Sequence, residues 1–82
     1  MRVKMHLVCP EFFKSIPNGL YEFPDGSSVM ECVERCAAGC EVTLRDGWSD
    51  KVLFMKDNKP VQKDDQAFDG SEICVVRMVY GG

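Results

Sequence analysis

Gly70-Ser71-Glu72-Ile73-Cys74-Val75-Val76-Arg77-Met78-Val79-Tyr80-Gly81-Gly82 decides how the rest of the chain is read. A glycine turn opens a run of β-branched and apolar residues that leads directly into two glycines. Such residues favour a pleated, half-buried surface, so Ile73 to Tyr80 reads as a strand. Glycine has no Cβ, so Gly81 and Gly82 fit a narrow channel and take any backbone conformation inside it. The pattern describes a tail threaded into another protein's active site, where the α-carboxylate of Gly82 is the one reactive group delivered. The plainer expectation is a frayed end, because small residues are common at termini.

Working back from that strand, turn signals cut the chain into short elements. Met1 to Cys9 reads as a strand, with Val3, Met5 and Leu7 on one face and Arg2, Lys4 and His6 on the other. Pro10 ends it, Glu11 to Ile16 reads as a short turn or helical piece, and Pro17-Asn18-Gly19 turns the chain into Leu20-Tyr21-Glu22-Phe23. Pro24-Asp25-Gly26 closes a hairpin. Ser28-Val29-Met30-Glu31 fits a capping box, so a helix starts there. Val29, Cys32, Val33, Cys36, Ala37 and Cys40 follow helical spacing on one face, and Gly39 is expected to end the helix. Asp46-Gly47 marks a loop and Lys51 to Lys56 a third strand. Asp57-Asn58-Lys59-Pro60 turns into a short strand around Val61, and Asp69-Gly70 precedes the last strand.

The order β-β-α-β-β-β puts the last strand in the same sheet as the first. Parallel pairing of those two, with the helix across one face, gives an α+β protein of the β-grasp (ubiquitin-like) type. The expectation is a mixed sheet of four to five strands and one main helix. Residues 1–82 form one such domain, with a flexible C-terminal tail from about residue 77.

At 82 residues the chain holds one small core. Its formal charge is −3 and its ten Lys and Arg are scattered, so the basic patch of a nucleic-acid binder is missing. No apolar run approaches the length of a membrane span, and Met1-Arg2-Val3-Lys4 leads into alternation rather than a signal-peptide core. A cytoplasmic location is expected, with no nucleic acid and no membrane as partner. Five cysteines, an odd number with no export signal before them, read as reduced thiols.

Over nearly its full length the layout resembles the MoaD/ThiS family of sulfur-carrier proteins. The residues that carry the resemblance are Pro24-Asp25-Gly26-Ser27-Ser28-Val29 before the helix, the Asn58-Lys59-Pro60-Val61 hairpin, and Gly70-Ser71-Glu72-Ile73 at the family's distance from Gly81-Gly82. Four positions depart from the pattern. Ser71 stands for the usual Asp, Arg77-Met78 for the two prolines of the molybdopterin-synthase small subunit, and Tyr80 for a small residue.

The resemblance implies that an E1-like adenylyltransferase adenylates the Gly82 carboxylate with ATP, and that a persulfide sulfur then displaces AMP to leave a thiocarboxylate. Adenylation is required because an ionised carboxylate resists nucleophiles, whereas a mixed anhydride carries a good leaving group. The chain is then a carrier and not an enzyme, and it holds no cofactor. It hands sulfur to a biosynthetic enzyme, of the molybdopterin-synthase large-subunit or thiazole-synthase type. Gly81 and Gly82 are the reactive end, and Arg77, Met78, Val79 and Tyr80 are the expected partner-binding residues. A ubiquitin-like modifier, joined through Gly82 to a lysine amine, shares every tail feature.

Cys32, Cys36, Cys40 and Cys74 raise a further alternative, a [2Fe–2S] electron carrier on the same fold. Plant-type ferredoxins use C-x₄-C-x₂-C with a distant fourth cysteine, and this chain has C-x₃-C-x₃-C. Cysteine serves often as a small buried hydrophobe, so core packing of Cys32 and Cys36 is the expectation, and no metal site. His6 reads as a surface histidine, Trp48 as a ring packed over the core edge, and Asp64-Asp65 as a solvated turn.

Overall fold

The structure is a computed structural model, and it describes residues 1–78; Val79, Tyr80, Gly81 and Gly82 lie outside them. Strand β1 (Arg2–Leu7) alternates as expected, with Val3, Met5 and Leu7 inward. Helix α1 (Pro10–Phe13) follows, begun by a proline whose missing N–H costs nothing at a helix start. Strand β2 (Gly19–Glu22) pairs antiparallel with β1. The chain reverses between the two through α1 and Pro17-Asn18. Pro24-Asp25-Gly26 therefore does not close the hairpin; it leads from β2 into the main helix.

That helix, α2 (Val29–Gly39), starts where the sequence placed it. The Glu31 N–H donates to the Ser28 hydroxyl oxygen at 3.1 Å, and the Ser28 N–H donates to the Glu31 carboxylate at 2.9 Å. Two orphan amides are satisfied reciprocally. The helix also ends at Gly39, as expected, although Gly39 is not the residue that turns the chain. The residue in the left-handed region is Glu41, at φ 57°. The Val42 N–H donates to the Ala37 carbonyl at 2.8 Å and the Glu41 N–H to the Ala38 carbonyl at 3.2 Å, the paired bonds of a Schellman ending. Val42 packs against the core there, and this return fixes the direction of the chain.

A 3₁₀ turn (Trp48–Lys51) then leads into β3 (Val52–Lys56), β4 (Lys59–Pro60) and β5 (Glu72–Arg77). Asp57 and Asn58 have φ of 52° and 67°, the two left-handed residues that a tight β3–β4 hairpin requires. The described residues form a mixed sheet in the order β2-β1-β5-β3-β4, with β5 parallel to β1 and antiparallel to β3. This is the β-grasp (ubiquitin-like) arrangement. The α2 face made by Val29, Cys32, Val33, Cys36 and Ala37 is buried against one side of the sheet. Trp48 is buried as well, edge-on to Phe13 and Phe54 with ring centres 5.8 and 5.9 Å away. Asp65 caps its own turn, accepting from the Gln62 N–H at 3.2 Å. Among the described residues no helix is long and apolar enough to cross a membrane.

Candidate functional site

The candidate site begins where β5 ends. Ile73 and Val75 are fully buried and face α2, so alternation turns Cys74 and Val76 to the open side of the sheet and Arg77 back to the helix side. Arg77 pairs in register with Val52, and its guanidinium is ion-paired with Glu11 of α1. The Met78 N–H donates to the Lys51 carbonyl at 2.9 Å. The ladder therefore continues past residue 77, where the tail was expected to start. The reason is that β3 is long enough, with Lys51 before it, to supply partners.

Met78 borders a groove of about 390 Å³ with Leu53, Val61 and Lys63. Arg77 does not share it, so two of the expected partner-binding residues point in different directions. Val79 and Tyr80, the other two, and Gly81 and Gly82, expected as the reactive end, lie outside the described residues.

The open face of the sheet is mixed. Arg2, Lys4 and His6 of β1 lie beside Glu22 and Glu72, and Leu20 is 65% exposed. His6 Nε2 is 3.7 Å from a Glu72 carboxylate oxygen. Toward β3 the face becomes apolar, with Val76 opposite Leu53 and Cys74 opposite Met55.

The cysteines divide between the two sides. Cys32 and Cys36 are at most 2% exposed in the core, and burial pushes their thiols up to about 11 and about 12. Burial also raises the Cys74 thiol, with the neighbouring Glu72 carboxylate adding to it. Cys40 is the half-buried C-cap of α2. A [2Fe–2S] cluster needs four thiolates around one point, and here Cys74 stands on the opposite side of the sheet from Cys32 and Cys36. The core reading of those two cysteines holds.

The fold defines the class: a ubiquitin-like β-grasp domain with β5 at the centre of its sheet. No protein-family model and no curated protein matches the chain. Among solved structures, the crystal structure of SAMP1 from Haloferax volcanii is similar over 100% of both chains, with a TM-score of 0.69 at 10% identity. The crystal structure of H. volcanii small archaeal modifier protein 1 is similar over 95% of this chain and 98% of its own, with a TM-score of 0.70 at 8% identity. At such identities the likeness is one of fold.

Proposed function

We propose that the chain is a ubiquitin-like sulfur carrier whose Gly82 carboxylate is adenylated by an E1-like enzyme and converted to a thiocarboxylate. The observation that carries this reading is the placement of β5. It sits centrally between β1 and β3, is held along its length, and is followed by Val79-Tyr80-Gly81-Gly82 in the sequence. Four extended residues span at most about 14 Å, enough to pass a channel one active site deep. The open sheet face and the groove beside Met78 then supply docking area that two glycines lack.

The chemistry belongs to the partner. Its active site uses ATP to form the acyl adenylate, a persulfide sulfur attacks the acyl carbon and AMP leaves, and a thiol then cleaves the acyl disulfide so formed, becoming a disulfide itself and releasing the thiocarboxylate. A biosynthetic enzyme of the molybdopterin or thiamine type takes the sulfur. The modifier reading is favoured by one observation, the name of the structural neighbours. It shares adenylation and differs in the nucleophile, a lysine amine in place of sulfur.

ATP–pyrophosphate exchange with the E1-like enzyme encoded in the same genome tests the shared step. The native protein, shown by intact mass to end at Gly82, supports exchange, and a chain lacking Gly82 does not while keeping its circular dichroism. Exchange by the shortened chain overturns the proposal. Intact mass after reaction then separates the two readings: an oxygen-to-sulfur exchange at Gly82 marks the carrier, a branched lysine adduct the modifier.

A further inference from the structure

The sheet register assembles a row of soft donor atoms that the tail chemistry does not use. On the open face Cys74 of β5 has His6 of β1 as its parallel neighbour and Met55 of β3 as its antiparallel neighbour. Directly paired residues point to the same face, with Cβ atoms about 5 Å apart. An imidazole, a thiol and a thioether thus stand side by side, all half-buried and all reached from one side of the sheet.

We propose that His6, Cys74 and Met55 form a three-coordinate site for a soft monovalent metal ion, Cu(I), on the open face of the sheet. Cysteine thiolate and methionine thioether select Cu(I), and imidazole suits it as well. The middle residue is the anionic one, so an ion on Cys74 Sγ lies within reach of both longer neighbours. Binding exchanges the Cys74 thiol proton for the ion: one S–H bond breaks, one S–Cu bond forms, and the proton leaves to water. No electron moves.

The product is neutral at the metal, one positive ion on one thiolate, which suits a half-buried position better than a divalent ion would. The Glu72 carboxylate lies 3.7 Å from His6 Nε2, so one side of the imidazole already faces an acidic neighbour. Among the described residues no group of three or more His, Cys, Asp or Glu side chains is placed to hold a metal. Harder divalent ions therefore have no such donor set, and the thioether is what completes this one. The site uses neither Gly82 nor any residue of the tail, so it stands apart from the carrier reading.

The test is anaerobic titration of the full chain with Cu(I), supplied as its acetonitrile complex, against bicinchoninate as a coloured competitor. One Cu(I) per chain is expected. Cys74→Ser lowers affinity about a hundredfold, and Met55→Leu and His6→Gln about tenfold each, while Cys40→Ser leaves it unchanged. All four changes are at half-buried positions, and circular dichroism confirms folding. In the unsubstituted protein, the Met55 methyl resonance shifts on Cu(I) addition and the other methionine methyls stay in place, a readout that needs no variant. Wild-type affinity in Cys74→Ser, loss in Cys40→Ser, or a shift at a different methionine overturns the site.

Discussion

Arg77, the last residue of β5, is ion-paired with Glu11 on helix α1, which joins the end of the central strand to the first helix across the core side of the sheet. Both side chains are substantially solvated, so the pair is a surface contact. A double-mutant cycle with Glu11→Ala and Arg77→Ala, read by urea unfolding, is expected to give a coupling of roughly 0.2–1 kcal/mol that shrinks with added salt. A coupling that ignores salt would show that the contact is packing of the arginine stem.

The end of α2 carries two residues in exchanged places. Gly39 is the last residue of the helix, in helical conformation where a Cβ would meet nothing within 4 Å, and Glu41 occupies the left-handed position that glycine takes most readily. Glycine costs roughly 0.5–1 kcal/mol against alanine within a helix, toward the lower value in the last turn, and a left-handed non-glycine residue costs about 1–2 kcal/mol. Gly39→Ala and Glu41→Gly are each expected to raise stability by roughly 0.5–1 kcal/mol. Circular dichroism melts of the two variants and their combination check this, and near-additive gains are expected from the separate mechanisms.

The buried thiols predict how stability depends on alkaline pH. The Cys36 thiol rises from 9.0 in the unfolded chain to about 12 in the fold, because burial disfavours its thiolate. Its contribution is fully present below pH 9 and is lost as the pH rises toward 12, since only the unfolded chain ionises in that window. The urea midpoint should fall above pH 9, and less steeply in Cys36→Ala, which at neutral pH costs about 1 kcal/mol as a small cavity. Thiol labelling gives the companion result. Cys40 and Cys74 react in the native protein, while Cys9, Cys32 and Cys36 react only as it unfolds, because their sulfurs are buried.

What could be read from the sequence was governed by contacts close along the chain. The Ser28–Glu31 box covers four residues and carries its own signal, whereas the turn after β3 is only Asp57-Asn58, because Lys59 and Pro60 already pair with Lys56 and Met55 and the short strand falls there and not around Val61. The alternation of Val3, Met5 and Leu7 fixed which face of β1 is buried. Cys32 and Cys36 declared themselves by helical spacing. Three features escaped. Glu41 in the left-handed region runs against its own preference and is imposed by the packing of Val42. The ion-pair partner of Arg77 is Glu11, far away in the chain, although alternation with Ile73 and Val75 sets the side it faces. The row of His6, Cys74 and Met55 exists only once two strand registers are known, and no spacing within the sequence announces it.

Met78 and Arg77 are adjacent in sequence yet serve different surroundings, and this separates their effects on partner binding. Met78 lines the groove with Leu53 and Val61, whereas Arg77 is directed to Glu11 on the helix side. If an activating enzyme docks along the groove toward the tail, Met78→Ala and Leu53→Ala each remove apolar contact and weaken binding by roughly 1 kcal/mol. Arg77→Ala leaves the groove intact and is expected to change affinity by less than about 0.5 kcal/mol, within the range of an exposed charge. Calorimetric titration of the three variants against the enzyme, beside their melting temperatures, decides it. The reverse order, with Arg77→Ala the damaging change and Met78→Ala neutral, would place the docking surface on the α1 side of the strand instead.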